Sequence, residues 1–132
     1  GAGDTYINIL GPGETSICYF YFDEVQDVAS VDYELYYNTD TYYPPVLGNL
    51  SFEQTENKEN VIVAVTNNGK EPAMYVEAYA LFFDENNNII ETDITYFTDD
   101  DSEIKPGKTI VRQLNAYTAF DHVEVYFIGR GE

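Results

Sequence analysis

Val61-Ile62-Val63-Ala64-Val65-Thr66 opens a stretch that decides the fold. It turns through Asn67-Asn68-Gly69-Lys70-Glu71-Pro72, runs on from Ala73 to Phe83, turns again at Asp84-Glu85-Asn86-Asn87-Asn88, and leaves along Ile89 to Phe97. The runs are rich in β-branched and aromatic residues, and the breaks in Asn, Gly, Asp and Pro, which predicts β-strands joined by turns. In the long central run, Met74, Val76, Ala78, Ala80 and Phe82 share one face, while Tyr75, Glu77, Tyr79, Leu81 and Phe83 share the other. Small residues on the first face imply a close approach between two sheets, at about 10 Å.

Working outward, Lys105-Pro106-Gly107-Lys108 reads as a turn, followed by strands over Thr109–Ala116 and His122–Ile128. Upstream, Asn49–Thr55 reads as a strand with Leu50 and Phe52 on its buried face, and Glu56–Asn60 as the turn into Val61. Adjacent Pro44 and Pro45 exclude a central strand and mark a linker. Farther back, Tyr6–Leu10 and Ser16–Phe22 are apolar runs. Val31–Tyr37 alternates, with Val31, Tyr33, Leu35 and Tyr37 opposite Asp32, Glu34 and Tyr36, as in a strand with one wet face. No segment sustains the 3.6-residue apolar period of a helix.

Two passages echo each other. Leu10-Gly11-Pro12-Gly13-Glu14-Thr15 is matched by Ile104-Lys105-Pro106-Gly107-Lys108-Thr109, and Asp32–Tyr37 by His122–Phe127. The expected organisation is therefore a partial β unit with its linker over residues 1–47, the closing half of a sandwich, and a complete unit over 48–132. The uncovered edge of a half-sandwich invites pairing, so self-association through the N-terminal half is expected.

Composition narrows the partners. The chain has 132 residues, 13 of them Tyr and 8 Phe, and a formal net charge of −18, with no Lys or Arg before Lys58. Such a surface repels phosphates and anionic headgroups, which argues against nucleic acid and membrane surfaces. No apolar run is long enough to span a bilayer. Cys18 is alone, so no intrachain disulfide forms, and its apolar neighbours predict a buried, inert thiol.

Val63–Gly69, Val76–Asp84, Asn86–Ile90 and Ile104–Lys108 together resemble the FxLYD-type, immunoglobulin-like β-sandwich modules of secreted or surface-anchored Gram-positive bacterial proteins. Asn88 stands where such modules more often have Gly, and Phe82-Phe83 matches the named motif loosely. The resemblance covers a little over half the chain. It implies an extracellular or cell-surface accessory domain whose partner is a protein or another envelope component, with any signal or anchor segment outside these residues.

Residues able to carry chemistry are few. Asp99, Asp100, Asp101 and Glu103 set four carboxylates within five residues, an arrangement a Ca²⁺ ion would relieve, which makes Ca²⁺ the candidate cofactor and a Ca²⁺-rigidified linker one reading. Asp84–Asn88 begins with calcium-loop spacing, but Ile89 and Thr95 occupy the positions that need Gly and Glu, so a hairpin turn is expected. Tyr36, Tyr37, Tyr42 and Tyr43 flank the linker and are the candidate binding residues, for a protein or, alternatively, for carbohydrate. His122 is the only histidine, and Asp121 beside it is expected to point away. With no nucleophile motif, the expectation is an all-β, immunoglobulin-like antiparallel sandwich that is not an enzyme, acting as a spacer or interaction module.

Overall fold

A computed structural model describes residues 9–18, 27–98 and 102–132. Among the described residues, six strands are arranged in two antiparallel sheets: β1 (Leu50–Glu56), β2 (Asn60–Asn67), β3 (Met74–Phe83), β4 (Ile89–Tyr96), β5 (Thr109–Asn115) and β6 (His122–Arg130). One sheet has the order β1-β2-β5 and the other β4-β3-β6. Hairpins β1-β2 and β3-β4 each stay within a sheet. The chain changes sheets between β2 and β3, between β4 and β5, and between β5 and β6.

The core lies between the sheets, so the molecule is a β-sandwich. Val61, Val63 and Val65 of β2 and Leu114 of β5 face Val76, Ala78, Ala80 and Phe82 of β3, all buried in one cluster that Phe97 and Ile104 complete. Period-2 burial in β2 follows from this, since Ile62 points to solvent and its two valine neighbours do not. The small side chains on β3 permit the close approach expected of them. Met74 departs from that face: a register shift between Met74 and Glu77 breaks the alternation, and Met74 is left half-buried outside the core.

The two sides of the sandwich are closed differently. On one, side chains bond the backbone of the facing edge. Arg112 Nε donates to the Tyr96 carbonyl at 3.0 Å, the Asn115 N–H to Asp93 at 2.8 Å and the Tyr117 N–H to Glu91 at 2.8 Å, tying β5 and its exit to β4. On the other, Phe52 of β1 stacks on Phe127 of β6 with ring centroids 3.7 Å apart, and a single 3-10 turn over Leu47–Asn49 bridges the two strands at one end. Aromatic contact there replaces backbone bonding.

Asn67 locks the crossing from β2 to β3. It is buried, its Nδ2 donates to the carbonyls of Glu71 and Ile104 at 2.8 Å each, and its Oδ1 accepts the Gly69 N–H at 2.8 Å. Its backbone bonds Lys108 and Gly107. One amide thereby ties the Asn67-Asn68-Gly69 turn to the Lys105–Lys108 turn. In that second turn the Lys108 N–H bonds the Lys105 carbonyl at 3.0 Å and Gly107 has φ 74°, where a β-carbon would be strained.

The N-terminal expectations fare unevenly. The turn echo holds locally: Gly13 has φ 81° and the Glu14 N–H bonds the Gly11 carbonyl at 3.1 Å, as at Lys105–Lys108. Its second half does not. His122–Phe127 is a strand, whereas Val31–Tyr37 has no regular secondary structure and every one of its residues is exposed. Alternation reports which faces a strand would have, but a strand also needs a neighbour to bond, and none of the described residues supplies one. The described part of residues 9–46 contains no strand, so the additional N-terminal set of strands is not found there. Parts of Tyr6–Leu10 and of Ser16–Phe22 lie outside the described residues. Cys18 is half-buried rather than buried.

Candidate functional site

The candidate tyrosines separate into two environments. Tyr36, Tyr37 and Tyr42 are 86, 83 and 90% exposed, and Tyr33 beside them is 78% exposed. Among the described residues only local contacts hold them, such as the Tyr36 hydroxyl donating to Glu34 at 2.6 Å, which pushes the phenol pKa up. Val28, Val31 and Leu35 are exposed along the same segment. Residues 27–42 thus present aromatic and aliphatic side chains to water, and none of them belongs to the core formed by the described residues.

Tyr43 is different. The Arg130 guanidinium carbon lies 3.5 Å from the Tyr43 ring centroid and 4.2 Å from that of Tyr75, so one cation meets two aromatic faces. Tyr42 meets Tyr43 edge to face, with centroids 4.8 Å apart. Three distant parts of the chain converge here: the linker supplies Tyr43, the irregular start of β3 supplies Tyr75, and the end of β6 supplies Arg130. Tyr75 has φ 52°, a left-handed conformation that costs a non-glycine residue about 1–3 kcal/mol. It lies within the register shift between Met74 and Glu77, and such a bulge re-aims the side chain it carries.

Ile9, Tyr43, Tyr75 and Arg130 line a cavity of about 280 Å³. Ile9 is buried, Arg130 Nη1 is buried, and that nitrogen has no hydrogen-bond partner. Hydrogen bonding with the Tyr43 side chain, joined by a lesser contribution from Tyr75, holds the guanidinium pKa above its ordinary value against the opposing effect of burial. Below the cavity, the linker is fastened to the end of β6 by the Gly131 N–H bonding the Pro44 carbonyl at 2.8 Å. A β-carbon on Gly131 would come within 2.7 Å of Pro44 Cγ, so only glycine fits without displacing the linker.

The sequence reading names Tyr43 but neither Tyr75 nor Arg130, which the structure places beside it. Tyr75 was placed by alternation on the outer face of β3, and a bulge leaves no mark in alternation. The available signal was Arg130 itself, a rare cation closing an aromatic strand in an acidic chain.

The proposed cation loop receives no support from its described part. Asp99, Asp100 and Asp101 lie outside the described residues, and Glu103 makes a loose 4.0 Å ion pair with Lys105. Among the described residues, no group of three His, Cys, Asp or Glu side chains converges as metal ligands would. Asp84 acts as the hairpin reading expects. Its Oδ1 accepts the Asn86 and Asn88 N–H groups at 2.9 Å each and its Oδ2 the Asn88 side chain at 3.0 Å. The Asn88 bonds lower its pKa, and Asn87 takes the positive φ, at 63°. Asp121 corrects an expectation. It precedes the strand rather than lying in it, and its Oδ2 meets His122 Nδ1 at 2.9 Å, with Phe83 stacked on the imidazole. The chain matches no family model, and neither a curated relative nor a solved structure is found similar to it.

Proposed function

We propose that this chain is a non-catalytic protein-interaction module of immunoglobulin-like type, carried in a larger secreted or surface protein of bacterial origin. One observation carries the reading: residues 27–42 hold Tyr33, Leu35, Tyr36, Tyr37 and Tyr42 in water beside a well-packed sandwich. Exposed apolar patches of this kind mark contact surfaces, and tyrosine supplies contact area at low entropic cost. The immunoglobulin-like assignment draws its support from hairpins that alternate with crossings between the sheets. Self-association through the same segment belongs to this reading, because a second copy is one protein partner it could meet.

The test presents the protein to envelope protein fractions and, separately, to insoluble cell-wall and plant polysaccharides. Retention that is abolished by protease treatment of the fraction, and lost when Tyr36, Tyr37 and Tyr42 are replaced by Ser, is expected. Retention on polysaccharide alone, competed by soluble sugar, would make the module a carbohydrate binder instead.

A further inference from the structure

We propose that the Tyr43–Tyr75–Arg130 clamp is a receptor for a single carboxylate group, independent of the exposed tyrosine segment. Contact of Arg130 with Tyr43 and Tyr75 meets its charge with two aromatic side chains but leaves Nη1 without an acceptor. The guanidinium N–H donors form a planar fork that matches a carboxylate. One of them, Nη1, is buried and unpartnered, and the same side chain lines the cavity. A donor removed from water without an acceptor is costly, so an incoming acceptor recovers what burial has taken away.

The surroundings restrict the ligand. Among the described residues, Ile9 and the two tyrosine rings make the rest of the lining more apolar than polar, and about 280 Å³ admits only a small group. The net charge of −18 opposes a polyanion far more than a monoanion, which selects a lone carboxylate over a phosphate. Tyr75 adds an independent indication. Its left-handed backbone persists at the point where its ring meets the cation, and strain retained in this way is characteristic of ligand clamps. A clamp that only fastened the linker would not need it, because the Gly131–Pro44 bond already does so.

The carboxylate has two sources: a free small acid, or an acidic side chain on another protein. Isotopically labelled wild-type protein is titrated, with Arg Nε–H and tyrosine ring signals recorded, against propionate, propionamide, capped Gly-Glu-Gly, capped Gly-Gln-Gly and sodium chloride. The expected result is saturable movement of the Arg130, Tyr43 and Tyr75 signals with a carboxylate and not with its amide or with salt. Saturation with propionate alone assigns a free acid, saturation with the Glu peptide alone an acidic side chain, and both assign the carboxylate regardless of source. Arg130→Gln should weaken binding by about tenfold or more, the loss of a charge-assisted bond. No saturation with any carboxylate, equal movement by the amides, or unchanged binding by a folded Arg130→Gln variant overturns the proposal. The amide comparison is made on the wild type, so it decides the matter even if that variant does not fold.

Discussion

Asn67 and Glu77 show how single residues set the balance in this fold. Asn67 serves three backbone groups from the interior, so its removal strands the Glu71 and Ile104 carbonyls and the Gly69 N–H together. Asn67→Ala should lower unfolding free energy by about 3 kcal/mol in chemical denaturation, and Asn67→Asp by more, because it also buries a charge. Glu77 works in the other direction. Burial raises its pKa, and the bond from the Tyr79 hydroxyl at 2.8 Å offsets this only in part. A carboxyl whose folded pKa is raised holds its proton more tightly in the native state. Native stability therefore carries no penalty below the ordinary glutamate range and declines as pH rises through the folded value. Glu77→Gln, which keeps an acceptor for Tyr79, should match wild type in acid and exceed it at neutral pH. Denaturant midpoints measured across pH 3–8, roughly the window in which carboxylates titrate, check this. Asp84 has the opposite sign: its lowered pKa gives stability that is present above the ordinary aspartate range and is lost as pH falls through the folded value.

At the scale of elements, strands were legible where period, turn chemistry and a partner agreed. β2 and β3 alternate between Asn-rich breaks, and Asn67-Asn68-Gly69 and Lys105–Lys108 show in composition that the chain turns there. That a single Asn67 amide joins the two turns was not legible, because a contact across 37 residues leaves no local trace. Val31–Tyr37 carries a cleaner alternation than β4 yet forms no strand. What separates them is a bonded neighbour, as β4 has in β3 along Glu77–Phe83. The segment contributes nothing to the core, which gives a further expectation. Replacing Val31, Tyr33 and Leu35 together by Ser should change unfolding free energy by less than about 0.5 kcal/mol, whereas such a change within β2 would be severe. Comparison of the denaturation curves of the triple variant and wild type measures it.

Across the whole molecule, the sandwich and the N-terminal segment divide the labour. The sheets bury a core of valines, alanines and Phe82, while the N-terminal segment carries acidic residues with no Lys or Arg among them. The all-β class was readable from composition, because tyrosine, phenylalanine and β-branched residues fit pleated surfaces. The candidate site was half readable: four tyrosines drew notice, but only topology separates Tyr43, packed on Arg130, from its exposed neighbours. In the proposed function, residues 27–42 stand outside the cooperative fold and offer their side chains to a partner. Native-state amide hydrogen exchange resolved by residue tests this most directly. Val31–Tyr37 should exchange at nearly the rates of an unfolded chain, while β2, β3 and β6 are protected by the full unfolding free energy. Protection of Val31–Tyr37 equal to that of β3 would contradict it.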